Sequence, residues 1–146
     1  MGNLDSARRL IDEVRARGAR DFCVCAGSRN SPLLAVLGTD VYSFVDERSA
    51  AFFALGRIKL HASPVAVVTT SGTAAAELLP AAIEAFYSGL PLILITADRP
   101  ARFRGTGAPQ SIEQVGLFGV YAETSLSSWN ATRPLHLNIE FDEPLL

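Results

Sequence analysis

Residues able to do acid–base and anion chemistry cluster in four short stretches. They are Ser28, Arg29 and Asn30 in "CAGSRNSPL"; Asp46, Glu47 and Arg48 in "VDERSAAFFALG"; Thr70, Ser71 and Gly72 in "TTSGTAAAE"; and Asp98 and Arg99 in "ITADRP". Each follows a run of β-branched or large apolar residues. Two roles are open to Glu47. Acids suit the first turn of a helix, where free amides and the helix dipole favour negative charge. A carboxylate at the mouth of a sheet can instead share a proton with a ligand. Arg29, Arg99, Arg102 and Arg104 suit planar, bidentate capture of carboxylates. In "RPARFR", Arg102 and Arg104 equally suit a solvated loop. "TTSGTAAAE" lacks the Gly-Lys-Ser/Thr ending of a P-loop, and no Gly-x-Gly-x-x-Gly follows the first strand, which disfavours the common nucleotide sites. Cys23 and Cys25 share one strand face; two thiols alone make no metal site, so they read as small buried hydrophobes.

Alternating strands and helices must position these groups. Leu4, Ala7, Leu10, Ile11 and Val14 recur at helical spacing, with Asn3 or Asp5 as cap, and stop before Gly18. Strands are expected at 22–26, 41–45, 65–69 and 92–96. Between them lie a short helix to Leu37 with Ser31 as cap and Pro32 first, a helix over 49–60, and a long helix over 74–88. Pro80 bends that long helix and Gly89 closes it. The loop "ADRPARFRGTGAPQ", a short helix over 111–118 and apolar runs at 122–127 and 135–139 complete the chain. Buried strands alternating with helices define an α/β fold: one domain, 1–146, with a three-layer parallel sheet and helices on both faces. Such sheets bind ligands outside the carboxyl ends of their strands, where all four polar groups fall.

Composition sets the outer bounds. The 146 residues are 49% hydrophobic and 19% charged, enough apolar content for a folded core. A net charge of -2 leaves no basic stripe for nucleic acid. No apolar run reaches the ~18 residues of a membrane span and no signal segment is visible, so a cytoplasmic protein without membrane insertion is expected.

"CAGSRNSPL", "DERSAAFFALG", "TTSGTAAAELLPAAIEA", "PLILITADRP", "GAPQSIEQ" and "RPLHLNIEFDEPL" follow one another over nearly the whole chain. In that order they resemble the N-terminal pyrimidine-binding domain of the MenD family, the thiamine diphosphate-dependent synthases of menaquinone biosynthesis. The resemblance implies decarboxylation of 2-oxoglutarate and addition of the succinyl carbanion to isochorismate. It makes Glu47 the catalytic acid: its carboxyl would hydrogen-bond N1′ of the aminopyrimidine and promote the imino tautomer that deprotonates the thiazolium C2. It sets Thr70, Ser71 and Gly72 beside the pyrimidine, and Ser28, Arg29, Arg99 and Gln110 on the dianionic substrates. It implies no metal ligand in this chain. Mg2+ or Mn2+ and the diphosphate belong to a second domain, whose Gly-Asp-Gly motif this sequence lacks. That domain, supplied by another subunit of a homo-oligomer, is the implied partner, so an apolar patch is expected on the helices over 49–60, with Phe52 and Phe53, and 74–88. The chain alone should be inactive.

Two departures from the family stand out. Pro109 occupies a position where some relatives carry Asn. Only "SWNATRP" joins the runs at 122–127 and 135–139, whereas a parallel crossover needs about 10–12 residues, so the last strand is expected to pair differently or sit apart. Two other readings remain open. One is the small subunit of a two-chain thiamine diphosphate-dependent 2-oxoacid decarboxylase. The other is a non-catalytic carboxylate-binding module on the same fold.

Overall fold

Among residues 2–146, which the computed structural model describes, five strands form one parallel sheet in the order β2-β1-β3-β4-β5. The elements run α1 (Asn3–Ala16), β1 (Asp21–Val24), α2 (Ser31–Leu37), β2 (Tyr42–Ser43), α3 (Glu47–His61) and β3 (Val65–Thr69). After these come α4 (Thr73–Ala76), α5 (Leu79–Ser88), β4 (Leu92–Asp98) and β5 (Leu135–Glu140).

Strand alternation divides the core in two. Phe22, Val24, Ala66, Val68, Ile93 and Ile95 pack under Ala7, Ile11 and Val14 of α1 and Leu33 of α2. Cys23, Cys25, Val67 and Leu94 pack on the opposite face under the alanines of α3 and α5. Small residues such as Ala50, Ala54, Ala81 and Ala85 let those two helices sit close to the sheet. The three-layer α/β architecture is as expected. Both cysteines are free and buried, and burial pushes their thiols up to about 12, so they stay protonated.

Several elements differ from expectation, each for a local reason. Asn3 does not cap α1; its amide donates to the carbonyls of Asp142 at 2.7 Å and Pro144 at 2.9 Å, tying the helix start to the end of the chain. Gly2 takes the cap position, and its N–H lies 3.4 Å from the Asp5 carboxylate. In α2 the cap position falls to Asn30, one residue before Ser31. β2 shrinks to two exposed residues at the sheet edge, so it is not covered on both faces. The helix expected over 74–88 is broken at Glu77 and Leu78. Pro80 has no N–H to continue the first helix, but is harmless in the first turn of the second.

Residues 111–114 are irregular and 115–118 form turns, not a helix, and 122–127 form no strand. Their one ladder contact is Glu123 beside Leu135: the Glu123 amide donates to Pro134 O at 2.8 Å and the His136 amide to Glu123 O at 2.7 Å. β5 does not sit apart. It pairs in parallel with β4 from Leu135 to Glu140. The crossover that reaches it is the long connection from Asp98, so "SWNATRP" has only to turn the chain. Within that turn Trp129 is buried in the α1-side core, with its indole N–H donating to Arg133 O at 2.7 Å. Beyond Leu135 the outer edge of β5 borders a groove of about 460 Å³ lined by Leu10, Val115, Leu137 and Ile139 among others. No helix among the described residues is long and apolar enough to cross a membrane.

Candidate functional site at the carboxyl edge of the sheet

β1 and β3 are neighbours, yet the helices that follow them lie on opposite faces. A crevice therefore opens between the two strand ends, the usual ligand position in sheets of this order. A Cβ on Gly27 would lie 2.5 Å from Cβ of Thr70, so only glycine allows the two loops to touch. Asn30 shapes the first loop from inside: its Oδ1 accepts the Gly27 N–H and its Nδ2 donates to Cys25 O, both at 2.9 Å. Ser28 is left exposed at the tip. Arg29 turns inward and is 6% exposed. Its guanidinium donates to Phe141 O at 2.9 Å and pairs with Glu143 at 3.1 Å.

At the next strand end, Asp46 and Glu47 divide the roles that the sequence left open. Asp46 accepts the Ser49 N–H at 2.8 Å, the N-cap bond of α3, and the bonds from Ser49 hold its carboxyl below the usual range. Glu47, the first residue of α3, is half-buried and free of that duty. After burial, the negative charge of Glu47 helps to push the Cys25 thiol up. Ala50 and Ala51 are fully buried behind it, whereas Phe52 is 45% exposed. Arg48 points to solvent.

Thr70, Ser71 and Gly72 are all buried. Gly72 has φ +86, and a Cβ there would meet Gln110 Cα at 3.1 Å. Gln110 is exposed, with a left-handed φ of 54. From its other side Arg99 donates through Nε to Pro109 O at 2.8 Å. Gly72 and Arg99 thus hold the Pro109–Gln110 backbone between them, on the β3–β4 side of the crevice, while Glu47 and Ser28 lie on the β2–β1 side. Arg102 pairs with Asp142 at 2.6 Å, and Arg104 bonds Glu140 and approaches Asp98 at 3.4 Å. Arg102 thus braces the segment after β5, and Arg104 the carboxyl ends of β4 and β5.

A polar network behind the edge went unseen in the sequence. Buried Gln114 accepts the Gly72 N–H at 3.0 Å and donates to Ala97 O at 2.9 Å and Asn138 Oδ1 at 2.8 Å. Asn138 donates to the buried Asp98 carboxylate at 2.9 Å, and Thr96 bridges Asn138 at 2.9 Å and His136 at 2.7 Å. Burial pushes His136 down to about 4, so its ring is neutral. The signal available was the second glutamine of "GAPQSIEQ", which a helical reading of that stretch concealed.

The edge offers one half-buried carboxylate, Glu47, and a row of buried hydroxyls, among them Thr69, whose Oγ1 has no partner among the described residues. An orphaned buried hydroxyl at a strand end is satisfied by a ligand or water. No group of three or more His, Cys, Asp or Glu among the described residues could hold a metal ion.

Comparison with known proteins shows the family. Residues 4–117 match the family model "Thiamine pyrophosphate enzyme, N-terminal TPP binding domain". The chain is similar to three curated proteins named 2-succinyl-5-enolpyruvyl-6-hydroxy-3-cyclohexene-1-carboxylate synthase. Identity is 51% to that of Bdellovibrio bacteriovorus, over 100% of this chain and 31% of the relative. It is 52% to that of Akkermansia muciniphila, over 92% and 28%, and 48% to that of Corynebacterium diphtheriae, over 94% and 29%. The chain thus spans less than a third of the length of these relatives. The Bdellovibrio alignment needs 163 positions for the 146 residues, so there are positions at which this chain has no counterpart to the relative.

Proposed function

This chain belongs to the thiamine pyrophosphate enzyme family as its N-terminal TPP binding domain, and from that premise we propose that it forms the pyrimidine-binding half of a 2-succinyl-5-enolpyruvyl-6-hydroxy-3-cyclohexene-1-carboxylate synthase site. The substrates are 2-oxoglutarate and isochorismate. When bound, thiamine diphosphate supplies the carbon acid and electron sink that decarboxylation of a 2-oxoacid requires. Glu47 shares a proton with the pyrimidine nitrogen N1′, and its half-burial keeps water from competing for that proton. Thr70 and Ser71 line the ring from the β3 side, with Gly72 closing the wall. Ser28, Arg99 and Gln110 meet substrate carboxylates at the opening. Arg29 serves them too when Glu143 yields its guanidinium. A second, diphosphate-binding domain from another subunit holds the diphosphate and Mg2+ or Mn2+, so the complete site forms only in a homo-oligomer.

The observation that carries this reading is the division between Asp46 and Glu47. The cap is already made by Asp46, so Glu47 is a half-buried first-turn acid that the cap does not require. The test is hydrogen–deuterium exchange at C2 of thiamine diphosphate in the assembled enzyme. Glu47→Gln should keep the fold and slow exchange about 10²–10⁴-fold, the usual size of one acid–base contribution. Exchange at the unmodified rate would leave Glu47 as a helix-start acid and end the proposal.

A further inference from the structure

Both backbone polar groups of Gly72 are committed inside the protein. Its N–H donates to Gln114 Oε1 at 3.0 Å and its C=O accepts the Ala75 N–H at 3.0 Å. Gly72 therefore has no free N–H to offer a ligand. What it offers is closeness: without a Cβ it lets the Gln110 backbone rest where a side chain would be 3.1 Å from Cα and 3.2 Å from O. Gln110 is held there in the left-handed region, uncommon for a residue with a Cβ and found where surrounding structure imposes it.

Gln114 is the fixed point of this arrangement. It is fully buried, and its two donor bonds anchor it to β4 at Ala97 and to β5 at Asn138. We propose that Gln114 is a positioning residue that acts through Gly72 on Gln110, setting the exposed Gln110 side chain at the mouth of the crevice. The inference rests on the reading of Gln110 as a substrate contact. The physical chain is short. Asn138 and Ala97 orient the Gln114 amide, its oxygen fixes the Gly72 turn, and that turn supports the Gln110 backbone, which Arg99 steadies through Pro109 O at 2.8 Å.

The test uses Gln114→Met, which keeps the length of the side chain and removes its hydrogen bonds. In the ligand-free protein, Gln114→Met should raise the exchange rate of the Gly72 amide at least about tenfold, since a bonded amide becomes free. Equal protection in wild type and Gln114→Met overturns the proposal. In the assembled enzyme, Gln114→Met should raise the KM for 2-oxoglutarate or isochorismate. Added to Gln110→Ala, it should raise that KM no further, because both act on one contact. Additive effects overturn the proposal, since they mark a general structural role. A KM unmoved by Gln110→Ala overturns the substrate reading instead, and Gly72 amide exchange separates that failure from failure of the clamp.

Discussion

The backbone of Gly27 lies against the side chain of Thr70 so closely that a Cβ at Gly27 would stand 2.5 Å from Cβ and 2.6 Å from Cγ2 of Thr70. This contact joins the loops after β1 and β3 and sets the width of the crevice between them. Gly27→Ala should destabilise the protein by about 1–3 kcal/mol, the range for overpacking a filled site. Thr70→Gly, added in the same chain, should recover much of that loss by opening the space. Urea unfolding of the two single variants and the double variant gives the answer; simple additivity would show that Gly27 is required for some other reason.

Asp46 and Glu47 are adjacent, yet their substitution should have opposite signatures. Asp46→Ala removes the cap bond to Ser49, so it should lower the Tm by a few degrees while leaving C2 exchange in the assembled enzyme within about twofold. Glu47→Gln should do the reverse. The Asp46 carboxyl is held below its unfolded value of 3.8 by the bonds from Ser49. Its contribution is therefore present above that value and lost as pH falls through the lower folded value. Tm measured from pH 6 down to pH 2 should converge between wild type and Asp46→Ala at the acid end. A constant gap would mean that the cap does not depend on charge.

His136 gives a pH dependence with its own window. Its folded value is pushed down to about 4 from an unfolded 6.5 by burial against Phe118 and the sheet. Between these values the unfolded chain binds the extra proton, so stability falls as pH drops from 6.5 to 4 and levels off below. At 1.36 kcal/mol per pH unit the loss is about 3 kcal/mol at most. His136→Asn should flatten the curve of unfolding midpoint against pH in that window, even if its stability at neutral pH is lower. A slope equal to that of wild type would show that the ring is not the titrating group.

An apolar surface surrounds the β2 end of the site. Val45 is fully exposed, Phe52 and Phe53 are 45% and 38% exposed, and Phe53 stacks against both Tyr42 and Phe44 with ring centroids 5.1 Å apart. If the site is completed by a second subunit, as proposed, this patch at its edge is the interface. Phe52→Glu should shift the protein from oligomer to monomer in light scattering, with little change in far-UV circular dichroism. A wild-type protein that is strictly monomeric at high concentration would remove the basis for this interface.

The sequence by itself determined the covered strands and what stands at their ends. β3 was legible to the residue because five consecutive apolar or β-branched side chains have no other stable place than the middle of a covered sheet. Polar residues that follow such runs must lie at the carboxyl edge once the strands are parallel, which is why Ser28, Glu47, Ser71 and Arg99 all emerge there. The family motifs were legible for the same reason, since they are these strand ends.

Only the tertiary structure decided which of those side chains face the crevice. Arg29 follows β1 directly, yet its guanidinium is bound by Phe141 and Glu143 from the far end of the chain. Nothing near position 29 specifies that contact. Gln114 read as part of a helix, because local pattern cannot register the pull of Gly72, Ala97 and Asn138 on one buried amide. β5 joined the sheet although its adjoining connection is too short for a crossover, because the longer path from β4 served instead. Apolar periodicity reports what each segment must bury on its own, whereas hydrogen bonds between distant segments form only when packing has brought them together; the first is written locally and the second is not.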